Sequence, residues 1–163
     1  MDIDEIIALV SSWEDTVVLA PGPGSRAPEI AWGDVFFFYS PDASVPDKTQ
    51  PFATIVTKNY PDDTASQLDR AGVFRLSVAS RRTEDRPRGG VTSIDGPIDE
   101  HDPSTLDRLH PHPVYGSAGW VAVLNPGPRT AETSRTLLRQ AYEAARSRYQ
   151  RSSSRPPARS TPS

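Results

Sequence analysis

The chain has 163 residues, a formal charge of −3, 17 Pro, 10 Gly and no Cys. That length suits one hydrophobic core of about 150 residues, and without Cys there is no disulfide framework, thiolate nucleophile or thiolate metal site. The last thirteen residues hold three Arg and no acid, so residues 1–150 carry 15 basic against 21 acidic groups, or −6, and a body that acidic is repelled by phosphate backbones.

Asp2 and Glu5 form a capping-box pattern. Ile3, Ile6, Ile7 and Val10 fall at i, i+3, i+4 and i+7, which predicts a helix over 3–12 with one apolar face. Residues 16–19 read as a short strand, and the Pro-Gly-Pro-Gly text that follows ends regular structure. Residues 35–39 are apolar without alternation, so they are expected as a strand inside the sheet. Residues 52–57 form the next strand, joined to it by a long hairpin loop with three prolines. Residues 64–70 are expected as a short helix, with Thr64 and Gln67 as cap partners and Gly72 as terminator.

Residues 73–78 alternate. Phe74, Leu76 and Val78 face one side, and Arg75 and Ser77 the other. Residues 80–102 are poor in apolar side chains and read as a loop. Asp102-Pro103 predicts a short helix to about residue 109, ended by Pro111. Residues 119–125 are the last strand. Thr130 opens the last helix, with Leu137, Leu138, Ala141, Tyr142, Ala145 and Tyr149 as its buried stripe. Residues 151–163 are expected to be a disordered Ser/Arg/Pro tail behind a single domain over 1–150.

The expected fold class is α+β. It is a two-layer fold with a mostly antiparallel five-stranded sheet, helices on one face, and the order α-βββ-α-ββ-α. The longest apolar run is far below the ~20 residues of a membrane span, and the acidic start is unlike a secretory leader. A cytoplasmic protein is expected.

Five residues are singled out as ligand-binding candidates. Asp34 could act as a base or anchor if buried, although a strand-entry turn bonded to backbone N–H groups is the commoner role. Lys58 is one of only two lysines and sits at a strand end, where it could meet an anion. Arg75 shares the second sheet face, expected to be exposed, with Ser77, and Trp120 lies near it. His112 and His110 are two apart, so in an extended segment they point the same way. A metal there would need a third ligand, Asp107 or His101. Hydrogen bonds from the imidazoles to loop backbone are the favoured alternative, and no metal or cofactor is expected.

The arginines at 81, 82, 86 and 88, with those of the tail, could form a nucleic-acid arm. Glu84 and Asp85 interrupt that cluster, and no aromatic residue lies between 75 and 114 to stack on bases. Gly22-Pro23-Gly24-Ser25 lacks the Gly-Lys-Ser/Thr ending of a phosphate loop, and no nucleophile elbow is present.

Four blocks carry a resemblance: WGDVFFFY at 32–39, QPFATIVTK at 50–58, LDRAGVFRL at 68–76, and PHPVY at 111–115 with GWVAVLNP at 119–126. Together they resemble a bacterial family of small single-domain proteins of unknown function over about residues 1–149. This chain departs from the family pattern between Ser80 and Glu100. A weaker topology-level similarity is to the YjbR-like proteins, whose DNA-binding label the acidic body argues against. The resemblance implies fold and location but no mechanism. The leading expectation is therefore a non-catalytic domain that binds a small molecule or a protein. The alternatives are a metal- or acid/base-dependent enzyme around His110, His112 and Asp34, and nucleic-acid binding through the arginine-rich loop and tail.

Overall fold

In a computed structural model, which describes residues 1–80 and 102–155, an N-terminal helix, six strands and a long C-terminal helix follow one another. The helix α1 (Ile3–Ser11) starts where expected. The Asp2 carboxylate accepts from the Glu5 N–H at 2.8 Å, and the Glu5 carboxylate accepts from the Asp2 N–H at 2.7 Å. The strands are β1 (Thr16–Leu19), β2 (Val35–Tyr39), β3 (Ala53–Val56), β4 (Arg75–Ala79), β5 (Leu109–Pro111) and β6 (Trp120–Leu124), followed by helix α2 (Ala131–Ser153). The sheet order is β1-β2-β3-β4-β6-β5, with every strand pair antiparallel.

Alternation assigns the two faces. Val35, Phe37 and Tyr39 of β2, Ala53 and Ile55 of β3, Leu76 and Val78 of β4, and Val121 and Val123 of β6 fall on one face and join one buried cluster. Ile6 and Val10 of α1 and Leu137, Leu138, Ala141 and Tyr142 of α2 belong to the same cluster. Both helices thus cover the same side of the sheet, as two-layer packing requires. The Tyr142 hydroxyl donates to the Glu14 carbonyl at 2.8 Å, which ties α2 to the turn after α1.

Four expectations need correction. The sheet has six strands, not five. The missed one is β5, where a helix over 103–109 was expected. Asp102 does not cap a helix. Its carboxylate turns back to the Ser104 N–H at 2.9 Å, and the chain then pairs with β6 as Leu109↔Val123, His110↔Ala122 and Pro111↔Val121. Pro111 is tolerated because β5 is a sheet edge, where a missing N–H costs no ladder bond.

The helix over 64–70 is absent, so the order is one helix, six strands and one helix. Gln67 has a positive φ of 53°, and the Asn59 side-chain carbonyl accepts from the Leu68 N–H at 2.9 Å. A side chain has thus taken the donor that a helix would use. The tail expectation also shifts, because α2 continues through Ser153. The loop expected over 80–102 falls almost wholly outside the described residues, with His101 and the arginines at 81, 82, 86 and 88.

The start of α2 is held from outside the helix. Its N-cap, Thr130, makes no side-chain cap bond to the helix backbone. Instead the Asp107 carboxylate accepts from the N–H groups of Gly127 (2.8 Å), Thr130 (3.0 Å) and Arg129 (3.1 Å), and from the Thr130 hydroxyl (2.6 Å). These donors belong to the turn that leads into α2, so the carboxylate fixes the entry to the helix. A Cβ at Gly127 would lie 2.8 Å from an Asp107 carboxylate oxygen, so a side chain there would push the carboxylate off these donors. Burial raises the Asp107 carboxyl, but these bonds outweigh it and hold the group below its usual value. Replacing this remote cap, Asp107→Ala, should cost about 1–2 kcal/mol of stability in urea unfolding. Asp107→Asn keeps an acceptor and should cost less. Equal stability of Asp107→Ala and the parent would show that the cap does not hold the helix.

Candidate functional site

The face of the sheet away from the helices is where the candidate residues gather. Alternation puts Phe36, Thr54, Val56, Arg75, Ser77, Ala122 and His110 on it. The registers Thr54↔Ser77, Ser77↔Ala122 and His110↔Ala122 make one row across four strands. Arg75 and Ser77 were expected to be exposed there. They are 2% and 1% exposed instead, because irregular segments around residues 28–31, 60–63 and 112–115 rise over the sheet and enclose a pocket.

Arg75 organises the buried end of this pocket. Its Nη1 donates to Asp63 Oδ1 at 2.9 Å and to Ser66 Oγ at 3.0 Å, and its Nη2 pairs with Asp63 Oδ2. This fork-to-carboxylate pair is the strong form of the interaction. Burial alone would raise the Asp63 carboxyl, but the Arg75 guanidinium overrides that and holds it below its usual range. The Arg75 Nε has no hydrogen-bond partner, and neither does the Ser77 Oγ, although both atoms are buried.

Asp34 is fully buried and fully used. It accepts from the Thr57 N–H (2.8 Å), the Thr57 hydroxyl (2.9 Å), Lys58 Nζ (3.1 Å) and the Tyr60 hydroxyl. Gly33, with φ at +88°, makes the turn that delivers Asp34 to this position, and a Cβ there would sit 3.3 Å from Thr57 Oγ1. Lys58 also donates to the Trp32 carbonyl at 2.6 Å. Burial and the bond to Asp34 push the Tyr60 hydroxyl well above its ordinary pKa, so it stays a proton donor. The expected strand-entry turn, with Asp34 bonded to backbone N–H groups, is met only in the Thr57 N–H; the other three donors are side chains beyond β3. The structure joins Asp34 and Lys58 to each other, but neither lines the pocket; the ring of Tyr60 does.

The two histidines bond to loop or strand backbone, as the favoured reading held. His110 Nδ1 lies 3.2 Å from the Arg108 carbonyl, while its Nε2 is buried without a partner. His112 Nδ1 accepts from the Val114 and Tyr115 N–H groups, both at 3.0 Å. Those two donors assign the His112 proton to Nε2. Burial, then the nearby Arg75 charge, depress His112 to about 4, with Asp63 opposing. Burial also lowers His110. Among the described residues no group of three His, Cys, Asp or Glu side chains could hold a metal ion.

Of the five sequence candidates, Arg75, His112 and Trp120 line one pocket of about 630 Å³ with Phe36, Val56 and Tyr60. Sequence reasoning missed Tyr60, Asp63, Ser66 and Tyr115. One signal was available for Asp63: an arginine at an inward strand position needs a carboxylate, and acids cluster at 62, 63 and 69.

Residues 1–154 match a family of unknown function, DUF6194, and the chain belongs to it. No curated protein and no solved structure matches it, so the likeness to YjbR-like proteins gains nothing from known folds. Among the described residues no helix is long and apolar enough to cross a membrane.

The buried neutral His112 makes stability depend on pH. The unfolded chain takes up this proton near pH 6.5 and the folded chain only near 4. The unfolded state therefore holds more protons in that interval, and stability falls as pH drops through it, by roughly 3 kcal/mol in all. His112→Asn offers the two backbone N–H groups an acceptor that does not titrate. Urea titrations from pH 7 to 4 should show a shallower loss for this variant, and parallel curves would remove His112 as the cause.

Proposed function

We propose that this member of DUF6194 is a non-catalytic small-molecule binding domain, and that its ligand sits in the pocket on the helix-free face of the sheet. One observation carries the reading. A pocket of about 630 Å³ with apolar and aromatic walls has among its lining residues Arg75 and Ser77, whose buried Nε and Oγ atoms have no hydrogen-bond partner. Mostly apolar concavities with a few fixed polar groups are the usual form of ligand sites. Ile30, Val114 and Tyr115, which line the same pocket, are 40%, 43% and 56% exposed, so the rim offers apolar surface to an incoming molecule.

Binding is favoured over catalysis because Asp34, Tyr60 and His112 are already committed, and His110, whose Nε2 has no partner, does not line the pocket. Asp34 accepts from four donors. The Tyr60 hydroxyl keeps its proton and donates it to Asp34, and His112 Nδ1 accepts from two backbone N–H groups. A general base needs a free lone pair and a pKa near the working pH, and these groups offer neither. A single domain over about 1–150 suits the family match, and the lack of Cys suits a reducing compartment such as the cytoplasm.

Thr54 lies on the pocket floor, half-buried, on strand β3. Thr54→Trp should fill the pocket from the strand position beside Ser77. Indole, used as a probe in saturation-transfer NMR, should bind the parent protein and lose at least tenfold in affinity to this variant. Undiminished binding to a folded Thr54→Trp protein would refute the pocket as the site.

A further inference from the structure

The charge and donor pattern of the pocket defines the head group that it would hold, an inference that rests on the binding reading above. The charged residues lining it are Arg75, Asp63 and Asp62. Arg75 is already neutralised by the two-point pair with Asp63. Asp62 is exposed at the rim, so the three together sum to −1. No further lysine or arginine among the described residues lines the cavity.

Two buried, uncommitted polar atoms of β4 can both donate. Arg75 Nε can only donate, and the Ser77 hydroxyl can donate from the adjacent inward position of β4. His112 carries its proton on Nε2, because its Nδ1 accepts from Val114 and Tyr115. Three donors on lining residues call for an acceptor. A net negative lining repels a carboxylate or phosphate, since a buried anion needs an uncompensated cation that this pocket does not have. An ammonium head has no lone pair with which to accept from these donors.

We propose that the pocket takes a neutral molecule with an aromatic or aliphatic body and a carbonyl head, such as an amide, lactam or ketone. The carbonyl oxygen accepts from Arg75 Nε and Ser77 Oγ, and the body lies against Val56, Tyr60 and Trp120. His112 adds a third donor without adding charge. Burial lowers its pKa to about 4, so at neutral pH this donor carries no charge.

The test is a matched series on one body: indole-3-acetamide, indole-3-acetate and tryptamine, with indole itself as the reference. Dissociation constants are measured by NMR titration at pH 7.5 on the full chain. The amide should bind at least tenfold more tightly than the acid and the amine. Ser77→Ala should weaken the amide severalfold and leave indole unchanged. An acid or amine that equals the amide overturns the head-group assignment while leaving the pocket intact, and so does an amide affinity indifferent to Ser77→Ala. Failure of indole and of the whole series to bind in a manner sensitive to Thr54→Trp overturns the binding reading itself, and the head-group assignment with it.

Discussion

A guanidinium placed inward on an interior strand is the constraint from which the second side of this protein follows. Arg75 pairs across the sheet with Val56 of β3 and Leu124 of β6, so its side chain leaves the sheet with a strand on either side. A charge there is costly unless it is paired and bonded. The segment after β3 supplies the partners, Asp63 and Ser66. The segment is drawn over the sheet to do so, carrying Tyr60 with it. Tyr60 in turn bonds Asp34, which clasps the end of β3 to the start of β2. One charge thus folds a polar loop onto a face that would otherwise lie open to solvent.

The helix-covered face was readable from the sequence because a single periodicity governs it. Ile6 and Val10 at helical spacing, and Leu76 and Val78 at strand spacing, each state their own burial, and all four lie in one core cluster. The other face follows no such rule. Asn59, Asp63 and Asp69 are side chains whose partners lie across turns, and turn chemistry of this kind competes with the helix signal that Thr64 and Gln67 suggest. The missed strand β5 has the same origin. Three residues carry too little pattern to outweigh an Asp-Pro helix start, and their pairing is decided by an open edge on β6, a tertiary fact.

Site residues divide along the same line. Arg75, His112 and Trp120 could be singled out because residue type and strand position are sequence properties. Their convergence could not, because β6 reaches β4 only after some forty intervening residues, from Ala79 to Trp120, and β5 joins through β6. Asp34 and Lys58 show the converse. Both are conspicuous in sequence, and both are spent on each other and on the chain around them. A conspicuous charge near a strand end is as often a clasp as a ligand contact, and the hydrogen-bond count separates the two.

The shape of the pocket comes from side-chain size along one row. Thr54, Ser77 and Ala122 lie side by side on β3, β4 and β6, and all three are small. In the row on one side stand Val56, Arg75 and Leu124, and on the other side Trp120. A row of small side chains between rows of large ones leaves a trough, and close packing elsewhere on the sheet keeps neighbours from collapsing into it. The same row explains why the trough is polar at its base. Ser77 and His110 are separated in register by Ala122, whose methyl bonds neither, so the Ser77 hydroxyl and His110 Nε2 stay unpaired. A fold selected only for stability gains from a larger apolar residue at 122 or 77, since each unpaired buried group costs about 1–3 kcal/mol. Retaining small polar residues at that cost is what a bound molecule that supplies the missing partner would justify.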